Sequence, residues 1–144
     1  MTEAQARNRF VSATVARLAT VDMRTNPPKP HLVPIVFALL DDDTVVSAVD
    51  HKPKRTTALR RLVNISANPH VCLLVDRYSD DWTQLWWVRA DGRARVVEPG
   101  HEQGLRKHAI AALEHRYGQY HRRPITGALV FVEVMRWSGW SAGG

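Results

Sequence analysis

The sequence has very little cysteine and no long apolar run, and both shortages narrow the kinds of protein it can be. The 144 residues include one cysteine, Cys72, so no internal disulfide can form. The residues around Cys72 are apolar, which is typical of a small buried side chain. The longest apolar runs, residues 32–40 and 71–75, are far shorter than the roughly 18 to 20 residues of a membrane-spanning helix. Residues 1–10 lack the apolar core of a signal peptide. We therefore expect a cytoplasmic protein without a membrane segment.

Motifs for metal binding, covalent catalysis and nucleic-acid recognition are also missing. The seven histidines do not follow the spacing of a metal site, so we predict no metal. No Ser-His-Asp or Cys-His set indicates covalent catalysis. The 20 Lys and Arg residues outnumber the 14 Asp and Glu residues, and the formal charge of +6 indicates an anionic partner. Nucleic acid is disfavoured, because the arginines are dispersed and neither zinc-finger spacing nor an RNA-binding aromatic motif is present. The length and composition are typical of one globular domain, residues 1–144.

The most informative segment joins two predicted strands, residues 44–49 and 71–76, through a basic turn and a helix. Pro53 is tolerated near a helix start, and Asn68-Pro69 ends the helix. The N-terminus of this helix is surrounded by three cations and a hydroxyl, namely Lys52, Lys54, Arg55 and Thr56. Cations at the positive end of a helix dipole are unfavourable unless an anion lies among them, and phosphate is the obvious candidate. The alternative is a solvated basic turn with nothing bound.

The rest of the chain is patterned mostly as strands. We predict helices over residues 2–14 and 100–117, and six strands at residues 15–21, 30–40, 44–49, 71–76, 82–98 and 128–137. Pro34 argues that its strand lies at a sheet edge or faces a ligand, because proline cannot donate to a ladder. Asp91-Gly92 predicts a bulge or a tight turn, and residues 138–140 a tail. The order predicts a mainly β fold with flanking helices (α+β), arranged as a small closed or half-closed barrel.

Five segments in this order resemble one family: residues 17–21 (RLATV), 30–37 (PHLVPIVF), 52–56 (KPKRT), 64–71 (NISANPHV) and 87–94 (WVRADGRA). The chain is similar, over residues 10–140, to the split-barrel flavin-binding superfamily that includes pyridoxamine phosphate oxidase. Within it the chain looks most like the actinobacterial branch of flavin/deazaflavin oxidoreductases. The resemblance implies a six-stranded split β-barrel of the FMN-binding type with flanking helices.

The resemblance also implies a cofactor site at the subunit interface of a homodimer. The cofactor phosphate would be held by basic and hydroxyl residues, namely Lys52, Lys54, Arg55, Thr56 and either Arg60 or Arg61. The cofactor ring would lie against backbone groups of the second strand, at Val33, Pro34, Ile35 and Val36, although Pro34 removes one N–H donor. The partner's wall would come from Trp86, Trp87 and Trp140. For each tryptophan a place in the core or dimer interface, without ligand contact, is an equal alternative.

Three functions follow as expectations. The first is a coenzyme F-420 (deazaflavin)-dependent oxidoreductase that transfers a hydride between the cofactor and an unidentified small organic substrate, and the surplus of arginines favours the acidic tail of this cofactor. The second is an FMN-dependent oxidase or flavin-binding protein of the pyridoxamine phosphate oxidase type. The third is a β-barrel that stores cofactor or binds nucleic acid. No catalytic residue is assigned, and the candidate proton donors, which we do not rank, are His31, His51 and Tyr78.

Overall fold

Seven antiparallel strands form one sheet in the computed structural model, which describes residues 1–49 and 56–143, without the side chains of residues 56–59. The strands are β1 (Ala16–Asp22), β2 (Lys29–Ile35), β3 (Ala38–Leu39), β4 (Thr44–Ala48), β5 (His70–Arg77), β6 (Trp86–Val97) and β7 (Leu129–Ser141). The helices are α1 (Glu3–Ser12), α2 (Thr56–Ala67) and α3 (Gln103–Arg116). The mixed α+β class expected from the sequence is confirmed.

The sheet has the strand order β2-β1-β5-β6-β7-β4-β3. Its two edge strands, β2 and β3, are consecutive in the chain and are separated only by Val36 and Phe37, so the two edges of the sheet meet at this link. The position of β2 at an edge agrees with what Pro34 predicts. Because the link has few residues, it brings the end of β2 close to β4, and the buried Ser47 hydroxyl donates to the Val36 carbonyl at 2.8 Å.

The prediction of six strands is wrong, because the single strand expected over residues 30–40 is divided in two. Phe37 is fully buried and packs on Phe10, with ring centroids 4.7 Å apart. Its backbone N–H and C=O bond to the Tyr117 hydroxyl instead of to a neighbouring strand. The chain therefore leaves the ladder at the Val36-Phe37 link and pairs again as β3 with β4.

The tail expected at residues 138–140 is also wrong, since these residues belong to β7. Trp140 pairs with Trp87, and Gly139 pairs with Val88, so β7 stays on β6 to its end. The predicted irregularity at Asp91-Gly92 is a bulge: the register shifts there, and Met135 on β7 is left without a partner on β6.

Two apolar clusters hold these elements together. In the first, α1 places Ala6 and Phe10 against the inner face of the sheet, and Phe10 also meets Trp137 edge to face at 5.1 Å. In the second, α3 places Ala109 and Leu113 over β6 and β7, beside Val97, Leu129 and Phe131. Burying one such large side chain stabilises the fold by roughly 1.5 to 3 kcal/mol.

Helix α3 is also anchored through a buried cation. The Arg106 guanidinium is almost fully buried, and it donates to the Gly127 carbonyl at 2.5 Å. This contact fixes the segment that leads from α3 into β7. Within the described ranges, no helix has both the length and the apolar character needed to cross a bilayer.

Candidate functional site

The end of α3 is tied to the link between β2 and β3. Arg116 donates to the Phe37 carbonyl at 3.1 Å and to the Val11 carbonyl at 3.0 Å, and its guanidinium lies 4.6 Å from the centroid of the Phe37 ring. The next residue, Tyr117, accepts from the Phe37 N–H at 3.1 Å. These contacts fix the short 3-10 turn that follows, Gly118–His121, beside the end of β2.

A cavity of about 320 Å³, here called the groove, opens where β2, β4 and α2 come together. Its walls include Pro34, Ile35, Val36, Ser47, Ala48 and Arg61. Three residues predicted to meet the cofactor ring, Pro34, Ile35 and Val36, are therefore brought together with Arg61, which is predicted to hold its phosphate. Arg61 is the one charged side chain among the described lining residues of the groove. A surface of this kind, apolar with one cation at a strand edge, suits an anionic ligand with a flat apolar part.

A second cavity, of about 450 Å³ and here called the aromatic cavity, adjoins the groove. The two share a wall formed by Val36, Ala48 and Tyr120. The rest of the aromatic cavity comes largely from the segment after α3, including Tyr117, Gln119, Arg123, Pro124, Ile125 and Thr126. Arg123 is its one charged side chain among the described residues.

Positive charge extends from the groove along α2. The pKa of the His31 imidazole on β2 lies below its usual range. Burial is the largest cause, and the positive charges of Arg60 and Arg61 on α2 lower it further. The buried His31 Nδ1 has no hydrogen-bond partner among the described residues. Among the described residues, the carboxylate that influences His31 is that of Asp22, which Arg24 already holds at 2.9 Å, and this bond keeps the pKa of Asp22 well below its usual range. Within the described part of the chain, positive charge therefore exceeds negative charge beside the groove.

The other predicted phosphate ligands are placed only in part. Lys52, Lys54 and Arg55 lie outside the described residues. Thr56 begins α2, but its side chain also lies outside the description. Arg60 is exposed on α2, where it faces Asp22 and His31 rather than the groove.

Val33 is not part of the groove lining. It packs against the first apolar cluster, because its side chain points to the opposite face of β2 from Pro34. Any role it has toward a ligand must therefore come from its backbone, as the sequence prediction proposes.

The three predicted tryptophans lie away from the groove within one chain. The groove residue Ala48 on β4 pairs with Leu129, the first residue of β7. Trp140 lies near the other end of β7, where it pairs with Trp87. At about 3.3 Å per residue, the strand between these places spans more than 30 Å. Trp86 packs against the first apolar cluster, and Arg9 covers its ring at 5.2 Å.

Of the candidate proton donors, only His31 lies close to the groove. Tyr78 is exposed in the loop after β5, and His51 lies outside the described residues. Burial and the nearby Asp91 raise the pKa of the half-buried Cys72 thiol, so it is not activated as a nucleophile. Among the described residues, no three His, Cys, Asp or Glu side chains gather as a metal site would require.

Sequence reasoning missed the residues that follow α3. Tyr117 is predicted as the end of the helix over residues 100–117, and Tyr120 and Arg123 are given no role, yet all three line the aromatic cavity. The signal was present as two tyrosines followed by Arg122-Arg123-Pro124, an aromatic and basic cluster in a short loop. Only the fold shows that this loop faces the end of β2.

The chain has clear relatives of known structure. The sequence profile described as pyridoxamine 5'-phosphate oxidase matches residues 2–141. A conserved hypothetical protein of Mycobacterium tuberculosis superposes with a TM-score of 0.72 at 20% identity, over 99% of this chain and 86% of that one. A FAD-binding protein of Mesorhizobium loti gives 0.68 at 20% identity, over 96% and 92%. A FAD-binding protein of Mycobacterium smegmatis gives 0.60 at 18% identity, over 97% and 94%. No curated protein matches the sequence.

Proposed function

Because the chain belongs to the pyridoxamine 5'-phosphate oxidase family, we propose that it is an oxidoreductase that binds a phosphorylated flavin-type cofactor in the groove. The cofactor that we propose is the deazaflavin coenzyme F-420, and FMN is the alternative. The observation that carries the proposal is the meeting of Arg61 with Pro34, Ile35 and Val36 in one cavity. The cytoplasmic location expected from the sequence stays a prediction.

The residues present fit such a cofactor by their chemistry. Arg61 supplies a planar, permanently charged donor that suits a phosphate, and no acidic side chain among the described lining residues would repel one. β2 is an edge strand, so backbone groups on its outer side have no ladder partner and are free to bond to a polar ring edge. Pro34 has no backbone N–H to donate, and the Val36 carbonyl already accepts a hydrogen bond from the Ser47 hydroxyl.

The basic cluster beside the groove favours F-420 over FMN. FMN carries one phosphate, whereas the tail of F-420 adds lactate and glutamate carboxylates. Arg60 lies beyond the groove and adds a second cation beside Arg61, so among the described residues the positive charge exceeds what one phosphate needs. Two relatives of similar fold are described as FAD-binding, so FAD belongs in any comparison of ligands.

A bound F-420 or flavin supplies hydride transfer, so the chain needs no nucleophile of its own. Its residues would hold the phosphate at Arg61, position the flat ring system at the end of β2 and exclude water with Val36, Ala48 and Tyr120. The charges of Arg60 and Arg61 influence the pKa of His31, so this pKa would change when an anion binds to them.

We also propose that the active form is a homodimer. The outer face of the sheet carries apolar side chains that the single chain leaves open: Leu32 is 66% exposed and Trp140 45% exposed. Strand register places Cys72 and Trp87 on this same face. A second copy covering this face would bury these groups and bring the tryptophans of one subunit toward its partner, where the sequence prediction puts them.

Nucleic acid is a weaker candidate partner. Among the described residues, five arginines are already paired with carboxylates, namely Arg7, Arg17, Arg24, Arg89 and Arg95. Surface cations paired in this way do not form a continuous positive track for a phosphate backbone.

A titration ranks the candidate cofactors. The quenching of tryptophan fluorescence is followed as F-420, FMN and FAD are added separately to the purified protein. We expect saturation at one ligand per protomer and the tightest binding for F-420. Tighter binding of FMN than of F-420 would make FMN the proposed cofactor. The absence of binding by all three would overturn the proposal.

A further inference from the structure

We propose that the aromatic cavity is the substrate subsite, and that it takes a flat, largely apolar molecule bearing one carboxylate, with the carboxylate at Arg123. This proposal rests on the proposed function, since the adjoining groove would hold the cofactor. The shared wall of Val36, Ala48 and Tyr120 places the two cavities side by side, as a substrate and a cofactor must be for a direct transfer between them.

The size and lining of the cavity indicate the flat apolar part. Its volume of about 450 Å³ lies in the range of small-molecule sites. Tyr117 and Tyr120 meet edge to face, with centroids 6.2 Å apart and planes at 86°. Two ring planes at nearly a right angle offer one face and one edge to a planar ligand, the two arrangements that aromatic groups prefer.

One of these rings is held in place before any ligand arrives. The Tyr117 hydroxyl bonds to both the N–H and the C=O of Phe37, and the preceding Arg116 holds the same carbonyl. A wall fixed by the fold does not have to be ordered on binding, so less of the binding free energy is lost.

The charge of the cavity indicates the carboxylate. Arg123 is exposed and forms no ion pair with any residue in the described part of the chain. The described lining residues include no acidic side chain that would complement Arg123, so a ligand carboxylate is the charge that suits it. One arginine matches one carboxylate, which it can bind through two parallel hydrogen bonds.

The test compares 2-naphthoate with its neutral isostere 2-acetylnaphthalene by calorimetric titration, with and without saturating F-420. The native protein should bind 2-naphthoate at least about tenfold more tightly than the isostere. Arg123→Ala should remove that preference without changing binding of the isostere. Arg122→Ala, which removes the same charge one residue away from outside the cavity lining, should leave the preference intact.

Three results would overturn the proposal: no binding of 2-naphthoate, an equal loss in the two arginine variants, or displacement of 2-naphthoate by F-420, which would give the cavity to the cofactor. The same samples are titrated with F-420 and FMN alone. Cofactor binding without 2-naphthoate binding would reject the subsite only. Arg123-dependent 2-naphthoate binding without binding of either cofactor would support the subsite chemistry and reject the proposed function.

Discussion

The Tyr117 hydroxyl accepts a hydrogen bond from the Phe37 N–H at 3.1 Å and lies 2.8 Å from the Phe37 carbonyl. This one side chain therefore satisfies the backbone polar groups that are left over where the chain turns from β2 into β3. It joins two places 80 residues apart in sequence, and both cavities are built around the junction.

Tyr117→Phe should destabilise the protein by about 1 to 3 kcal/mol, because the buried Phe37 N–H loses its partner while the ring remains and the Phe37 carbonyl keeps its bond from Arg116. Chemical denaturation followed by circular dichroism measures the change. Tyr78→Phe is the matched control, since Tyr78 is 65% exposed and should change the free energy of unfolding by less than about 0.5 kcal/mol. Equal effects of the two substitutions would show that the hydroxyl of Tyr117 does not hold the junction.

Gly92→Ala should be destabilising by about 1 to 3 kcal/mol. A Cβ at Gly92 would lie 2.4 Å from the Glu133 carbonyl oxygen and 2.8 Å from a Val132 methyl group, so β6 and β7 would have to separate at the bulge. Gly104→Ala is the control, because a Cβ there meets nothing within 4 Å and alanine favours the helix. Thermal unfolding should show a lower melting temperature for Gly92→Ala and no decrease for Gly104→Ala. A native-like melting temperature for Gly92→Ala would contradict the close approach of the two strands.

The stability of the ligand-free protein should fall in mildly acidic solution partly because of His31. Burial and nearby arginines lower the pKa of His31 in the folded state from its ordinary value of 6.5. Below about pH 6.5 the unfolded chain therefore binds a proton that the folded chain does not, and the free energy of unfolding decreases until the pH passes the lower folded pKa. Denaturation of the native protein and of His31→Gln between pH 8 and pH 5 should give a shallower decline for the variant. Parallel declines would show that His31 titrates normally.

Trp140→Arg should weaken self-association, because it places a charge within the apolar outer face that we propose a second copy covers. Sedimentation velocity at micromolar concentration should show a dimer for the native protein and a larger fraction of the 16.3 kDa monomer for the variant. Ala111→Arg, at an exposed position on α3, adds the same side chain elsewhere and should stay dimeric. Sedimentation of the native protein only as a monomer would contradict the proposed homodimer.

Much of the fold could be predicted from local patterns. The alternation of apolar residues located β1, β4 and β5, and the Asn68-Pro69 stop located the end of α2. What local patterns could not show was the division at Val36-Phe37, because the run from residue 32 to residue 40 is apolar throughout and the break is imposed by Tyr117, far along the chain. Similarly, a Trp-containing tail and a pairing strand have the same composition, and only the partner β6 distinguishes them.

The site could be predicted where one strand and one helix supply it, and not where the loop after α3 contributes. The resemblance to the split-barrel family implies Pro34, Ile35, Val36 and Arg61 as site residues, and these four line one cavity. Arg123 lies more than 60 residues from Arg61 in sequence, and nothing in its own segment shows what it faces. The positions of Lys52, Lys54 and Arg55 stay predictions.

The central claim, that Arg61 and the end of β2 hold the phosphorylated part of a flavin-type cofactor, is tested most directly by titrating F-420 into the native protein and into Arg61→Ala and Arg61→Lys. We expect one F-420 to bind per protomer. Arg61→Ala should lose about 1 to 2 kcal/mol of binding free energy, and Arg61→Lys, which keeps the charge, should lose less. Arg17→Ala, which removes an exposed arginine paired with Asp76, serves as the control and should bind F-420 as the native protein does. Unchanged affinity in a folded Arg61→Ala protein would contradict the claim.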